Sequence, residues 1–465
     1  MRRAALGAAL SLLALPAAAR AGGPGTWTRV TPTDGVNIDQ VTLLRTADGV
    51  LHVGWHAHNP ADSTKEDLAT APISPAGALG AAVPIQSGWA SMSNPAFAAA
   101  PGGGMRIFFG GIRSLDPNET QTNLSTASAP QAGAPWALQT GNVAESGAAY
   151  SSPVSAVTLA DGTPLVSWAS GSGVFVHRGL TPGSGDPDLQ AALGGCCGYD
   201  TGLGADGTTG TPFVAWYSNG NGHQGVYAEQ IDPASGGPAA AAILMPGSVT
   251  GGNSSPQLAR TPITGRPGRP GVYVAYPGGY PTQTKVLLWK VGSPGSATLA
   301  KDAGDNRDVT LAAAPDGRLW VLWGFAAGGR PRVFARRSNA AATTFGATVS
   351  IPPPPGAQSI WKLDASAQAG VVDVLGSYTT PGSLATWHTQ IRPGLTLQAS
   401  RSGRKVHVRV LDAGDPVAGA KLKAAGHGAT TAANGRATIT LPTKKGKVTV
   451  TATKGGYTSA KVTAG

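Results

Sequence analysis

The sequence predicts an all-β protein, a seven-bladed β-propeller followed by a small β-sandwich. Three observations predict it. The 67 Gly and 37 Pro make up more than a fifth of the 465 residues and follow no collagen period; both residues break helices and punctuate turns, which excludes a mostly helical fold. A unit of strand, Asp-Gly turn and strand ending in Trp recurs along the chain. A spare strand near the N-terminus also matches a strand missing from the last unit. At 41% hydrophobic and 13% charged residues, the composition is that of a globular chain rather than a disordered one.

Residues 1–21 carry Arg2 and Arg3, an apolar run from Ala4 to Ala19, and the small-x-small sequence Ala19-Arg20-Ala21. This is the pattern of a secretory signal, with cleavage expected before Gly22. No cysteine stands at the cut, and no later apolar run reaches the roughly 18 residues of a membrane span. The product is expected outside the cell, released or held non-covalently at a surface.

Residues 22–392 are expected to form the propeller. Asp48-Gly49 precedes Trp55, Asp161-Gly162 precedes Trp168, and Asp316-Gly317 precedes Trp323, while a longer variant at Asp206-Gly207 reaches Trp216. Asp-Gly suits a tight hairpin because Gly accepts a positive φ. The flanking segments alternate as strands do, for example Leu51-His52-Val53-Gly54-Trp55. First strands are expected near Val41, Pro95, Pro153, Thr201, Pro256, Val309 and Ile360, a spacing that fits blades of four strands each. The last unit has only three, over Trp361–Ala367, Val371–Tyr378 and Leu384–Gln390, and Thr26–Val30 can supply the fourth. A ring of six plus a decorated hairpin is the alternative, and it leaves Thr26–Val30 unplaced.

Residues 393–465 change character. Leu395–Ala399, Lys405–Leu411, Ala420–Ala424, Gly435–Leu441 and Lys447–Thr453 alternate as short strands, with turns at Asp415-Pro416 and Asn434-Gly435. The segments Asp415-Pro416-Val417-Ala418-Gly419-Ala420, Ala432-Ala433-Asn434-Gly435-Arg436-Ala437 and Thr451-Ala452-Thr453-Lys454-Gly455-Gly456-Tyr457 resemble bacterial Ig-like domains of the invasin or carboxypeptidase-regulatory type. That resemblance implies a β-sandwich.

The repeat over residues 26–391 resembles the sialidase and BNR-repeat superfamily of secreted propellers. The Asp box of that family, Ser-x-Asp-x-Gly-x-Thr-Trp, joins a third strand to a fourth. Here Asp and Gly are adjacent and are expected to join the first strand to the second, as structural hairpins. The resemblance implies a sialidase-like site with three arginines on a carboxylate, a Tyr nucleophile with Glu, and an acid/base Asp. Only Arg106-Ile107 resembles the opening arginine motif. Glu229 faces the same side of a strand as Tyr227 but on a segment away from the centre, and the catalytic set stays unassigned.

In propellers generally, ligands meet the loops that lead into each innermost strand and those joining the second and third strands. On that map one mouth collects His56, His58, Trp89, Arg113, Tyr150, Tyr199, His223, Tyr280, Arg307, Arg330 and Trp361. Aromatics that stack on sugar rings, with Arg and His to bond hydroxyls or carboxylates, suit a carbohydrate; solvated turns of the same composition are the bland alternative. His56 and His58 share one face of a strand, and zinc would need a third ligand such as His223. A histidine there is also suited to act as the base of a uronate lyase, by analogy of fold.

The two cysteines, Cys196 and Cys197, are adjacent, which in an exported chain leaves a vicinal disulfide or intermolecular pairing. The vicinal ring is the favoured reading, eased by Gly194, Gly195 and Gly198. Gly220-Asn221-Gly222-His223-Gln224-Gly225 fits G-x-G-x-x-G, but a strand follows where a nucleotide-binding helix would begin. No cofactor is expected. Asp116–Glu119 and Asp305–Asp308 have oxygens suited to Ca²⁺, although Asx turns explain them equally.

The net charge of +11 is unevenly placed. Residues 394–465 hold 12 Lys/Arg against 2 Asp/Glu, whereas residues 1–393 hold 23 against 22. The basic surface of Arg401, Arg404, Lys405, Lys421, Lys423, Lys444, Lys445 and Lys447 is therefore where an anionic cell-surface polymer would attach. Tyr457 is the one aromatic among these residues, which argues against nucleic acid. The sequence thus points to a monomeric secreted propeller that binds extracellular glycan, tethered by a basic Ig-like domain. A sialidase-like hydrolase or uronate lyase, and a purely structural surface protein, are the alternatives.

Overall fold

The computed structural model describes residues 23–31, 40–113, 123–144, 153–170, 173–183, 185–194, 197–220, 222–249, 260–279, 282–301, 308–325, 331–381, 383–443 and 446–465. Among them the chain is all-β, and helix is confined to two single turns, Pro101–Gly103 and Ala191–Leu193. No helix among the described residues is long and apolar enough to cross a membrane.

The Asp-Gly units close the hairpin between the first two strands of a sheet. In the first, the Gly49 N–H donates to the Thr46 carbonyl at 2.9 Å and the Val50 N–H to Asp48 Oδ1 at 3.1 Å. Gly49 has φ +82°, and Gly162 and Gly317 repeat it at +81° and +79°. A side chain there would cost about 1 kcal/mol or more, which is why Gly follows Asp at each of these turns. In the longer turn the left-handed position falls to Gly210 instead of Gly207.

Seven antiparallel sheets follow in chain order among the described residues. The first holds Thr42–Arg45, Leu51–Asn59, Asp62–Ile73 and Val83–Trp89; the second is built on Ala96–Ala100, Gly104–Ile112 and Asn123–Ala129. The third has Ser155–Thr158, Pro164–Ser170 and Gly173–Arg178, and the fourth Gly198–Ala205, Pro212–Gly220, His223–Gln230 and Ile243–Leu244. The fifth has Ile263–Arg266, Arg269–Gly278, Lys285–Lys290 and Ala297–Lys301, and the sixth Val309–Ala313, Leu319–Phe325, Arg332–Arg337 and Val349–Ile351. Ser359–Ala367, Val372–Thr380 and Ser383–Ile391 make the seventh, with Thr28–Arg29 paired antiparallel on its outer edge. The third sheet shows three strands where four are expected. Pro182 and Pro187 flank the place of the fourth, and proline cannot donate to a ladder; a single bridge from Phe175 to Asp188 stands there instead. The fifth sheet starts at Ile263, later than the expected Pro256, which lies outside the described residues.

The second-strand tryptophans Trp55, Trp168, Trp216 and Trp323 are fully buried. Three of them stack on the directly opposite aromatic of the third strand, as Trp168 on Phe175, Trp216 on Tyr227 and Trp323 on Phe334. Truncating one to Ala would cost about 3–5 kcal/mol. The first strands of successive sheets touch in order, and the first strand of the seventh touches that of the first. Glycines allow the tightest of these approaches: a Cβ on Gly202 or Gly207 would collide with the carbonyls of Thr261 and Arg266.

Beyond residue 393 the chain forms two further sheets. One is built on Thr396–Ser402, Lys405–Asp412 and Arg436–Thr440, the other on His427–Thr430, Lys421–Ala424, Val448–Thr453 and Ala460–Ala464. The two share one core around Val406, Val408, Leu422, Ile439 and Val450.

Candidate functional site

The first strands surround a cavity of about 220 Å³. Arg260, which precedes the first strand of the fifth sheet, lies across one end of it. Its Nε donates to the Val154 carbonyl at 2.6 Å, one Nη to the Val41 carbonyl at 3.2 Å and the other to the Pro95 carbonyl. Those carbonyls occupy equivalent positions, each one residue before the first strand of the third, first and second sheets. One guanidinium thus ties three sheets together and caps the cavity.

Asp364, on the first strand of the seventh sheet, lines the same cavity and accepts from Gln40 Nε2 at 2.6 Å. Burial pushes its carboxyl up to about 7, against the pull of Arg260 and Gln40. Burial likewise brings Arg260 down to about 10, with Asp364 opposing. A polar thread runs outward from Gln40. Its N–H reaches Asn94 Oδ1 at 3.5 Å, which lies 3.2 Å from His56 Nε2; His56 Nδ1 lies 3.2 Å from Glu66 Oε2, which accepts the Met92 N–H at 2.6 Å. Both ring nitrogens of His56 are engaged, so the ring offers no free nitrogen to a metal. Among the described residues no group of three or more His, Cys, Asp or Glu is placed to hold one. The Ca²⁺ segments Asp116–Glu119 and Asp305–Arg307 lie outside the described residues, and Asp308 is buried beside the cavity.

The other expected mouth residues divide by exposure. Trp89 is buried, edge-on to Phe109 at 5.0 Å, with the Arg113 guanidinium 5.6 Å above its ring. His58 and His223 are half-buried. Tyr199 is 39% exposed and Trp361 46%. Each stands near the start of a first strand, of the fourth and seventh sheets, and each sits where the register shifts, between Tyr199 and Gly202 and between Ile360 and Lys362. A bulge breaks the alternation of a strand and re-aims its side chain, which turns both rings outward at the same end of the ring of sheets. Tyr199 stacks on buried Tyr217 with centroids 6.4 Å apart, and Lys362 Nζ stands 6.0 Å from the Trp361 ring.

Cys197 carries no free thiol, and its carbonyl accepts the Asn219 N–H at 2.8 Å. Cys196, Tyr150, Tyr280, Arg307 and Arg330 lie outside the described residues. Glu229 is buried on the third strand of the fourth sheet, and burial pushes its carboxyl up to about 7. Arg106 stands on the second strand of its sheet, its Nε buried without a partner. Sequence reasoning missed Arg260, Asp364, Gln40, Asn94 and Glu66. One signal was present: Gln40 and Asn94 each stand two residues before a first strand, a repeated polar position.

No family of known proteins matches the sequence, and no curated protein does. Solved structures similar to this chain include Hadza microbial sialidase Hz136, at TM-score 0.41 and 9% identity, covering 76% of this chain and 65% of that one. Polysaccharide lyase Uly1 aligns at TM-score 0.45 and 10% identity over 76% and 89% of the two chains. A fungal alcohol oxidase of the AA5 family, in complex with copper, aligns at 0.45 and 13% over 95% and 99%. At such values they assign neither activity nor ligand to this chain.

Proposed function

We propose that the chain is a secreted seven-bladed β-propeller over residues 22–392 that binds an extracellular glycan, anchored to anionic surface polymer by a basic Ig-like β-sandwich over residues 393–465. Thr28–Arg29 serves as the outer strand of the seventh blade. The observation that carries the reading is the pair of exposed rings, Tyr199 and Trp361, turned out by bulges on the face where Arg260 caps the central cavity. Large aromatics left in solvent beside polar groups are suited to stack on sugar rings. A vicinal Cys196–Cys197 ring, with Cys197 two residues from Tyr199, would stiffen that platform.

Binding is favoured over hydrolysis or elimination because, among the described residues, the arginine and the histidine nearest the central cavity are engaged within the protein. Three of the five N–H donors of Arg260, one from each nitrogen, are spent on backbone carbonyls, and His56 is held between Glu66 and Asn94. The test is a panel of sialylated, uronate-containing and neutral polysaccharides, followed for retention, free sugar, new reducing ends and unsaturated product. Retention without product is expected. Tyr199→Ala and Trp361→Ala should each weaken it about tenfold, or about 1.4 kcal/mol. Product from any polysaccharide would replace the binding reading with an enzymatic one, and unchanged retention in both variants would remove these rings from the site.

A further inference from the structure

The seam between the ring of sheets and the C-terminal sheets holds a second cavity, of about 850 Å³. Val349–Ile351, Gln390–Arg392, Pro24 and Gly25 form one wall, and Gly419, Lys421 and the turn from Thr453 to Ser459 form the other. Arg392, Lys421 and Lys454 line it, and no carboxylate among the described residues does. Among the described residues none of the three is in an ion pair. Like charges facing one concave space repel one another and focus a positive potential into it.

The walls are fixed by polar contacts across the seam. Arg337 of the sixth sheet pairs with Asp412, Arg318 Nη2 donates to Asp415 Oδ2 at 2.5 Å, and the Ala340 N–H reaches the same oxygen at 3.1 Å. Thr344 Oγ1 donates to the Ala413 carbonyl. Asp412 and Asp415 are the 2 acidic residues of 394–465, and both are used in this docking. Lys421 and Lys454 therefore have no further acidic residue within 394–465 to neutralise them.

We propose that this seam cavity is the anion-binding site of the protein, taking consecutive carboxylates or phosphates of an extracellular polyanion between the two modules. The inference deepens the anchoring half of the function proposed above and rests on it. A space of about 850 Å³ suits a short run of linked units rather than a lone ion. Among the described residues Tyr457 is the one aromatic in the lining, and its hydroxyl is held 3.2 Å from Asp412 Oδ2, which does not make a stacking platform for nucleic-acid bases.

The test titrates the full secreted chain with polygalacturonate, poly(glycerol phosphate) and neutral dextran. It is run at about 0.1 M and about 1 M salt, between which the Debye length falls from about 10 Å to about 3 Å. One or both polyanions are expected to bind, more weakly at high salt, and the preferred one tells carboxylate from phosphate. Arg392→Glu with Lys454→Glu should weaken that binding at least about tenfold, while Lys405→Glu with Lys447→Glu on the outer surface changes it less than about threefold. Dextran retention at the opposite face should be the same in both variants. If the seam pair fails to give a folded chain, Lys421→Gln replaces it, with a loss of about threefold expected. A larger loss from the outer pair, or equal losses from both, would overturn the seam site and leave anchoring intact. Absence of polyanion binding by the unaltered chain would overturn both.

Discussion

The carboxylate of Asp373, fully buried at the start of the second strand of the seventh sheet, accepts four side-chain donors. His388 Nε2 and Gln390 Nε2 reach Oδ1, each at 2.9 Å; Arg45 at 2.6 Å and Gln368 at 2.8 Å reach Oδ2. Burial pushes the group up, but the hydrogen bond and charge of His388, then Gln368 and Arg45, outweigh it and hold the carboxyl below 3.8. A depressed pKa in the folded state contributes stability that is present above the unfolded value and lost as pH falls through the folded one. Asp373→Asn should therefore cost about 3–5 kcal/mol at neutral pH, since the fully buried His388 and the half-buried Arg45 lose their anionic partner. It should also flatten the acid limb of the stability curve below about pH 4. Urea unfolding across pH measures both, and an acid limb unchanged in the variant would assign that limb to other carboxylates.

Closure of the ring rests on a short strand. Thr28 and Arg29 pair with His388 and Trp387, and the contact extends beyond them: the Val30 N–H donates to the Thr386 carbonyl at 2.9 Å and the Gly25 N–H to the Gln390 carbonyl at 3.1 Å. Trp27 donates its indole N–H to the Pro352 carbonyl at 2.7 Å and meets Tyr378 edge-on at 5.3 Å. Without this segment, Ser383–Ile391 becomes an open edge of nine residues, the kind of edge that pairs with other chains. Removing residues 22–30 should turn a monodisperse chain into self-associating species with a broadened melt. Light scattering and calorimetry would show it, and an unchanged monomer with a sharp melt would show that the edge is protected otherwise.

Across the whole molecule, the seams are held by polar residues that no single sheet could satisfy. Arg260 serves carbonyls 106, 165 and 219 residues away, and Gln40 reaches Asp364 over 324. Asp364 has a folded pKa raised to about 7, so the stability it contributes is full below the unfolded value of 3.8 and is lost as pH rises through about 7. Asp364→Asn keeps an acceptor for Gln40 and removes the titration. Between about pH 5 and about pH 8 the unaltered chain should lose more thermal stability than the variant. Equal losses in parallel thermal melts would place the titrating group elsewhere, Glu229 being the next buried carboxyl pushed up to about 7.

The local plan was legible in the sequence by itself. The hairpins at Asp48, Asp161 and Asp316, the buried tryptophans after them, and five of the strands beyond residue 393, though not His427–Thr430 or Ala460–Ala464, all depend on turn chemistry and a two-residue alternation, and these act within about ten residues of chain. The partner of Thr26–Val30 could also be read, because a missing outer strand and a spare one have a single economical match. What only the tertiary structure decided is where polar and aromatic side chains meet. Trp89 and Trp361 look alike in sequence, yet packing on Phe109 buries one and a register shift exposes the other. Arg260 and Asp364, or Arg392 and Lys454, are brought to one cavity by ring closure and by the docking of the last two sheets. Such meetings depend on contacts between residues far apart in the chain, which no local pattern encodes.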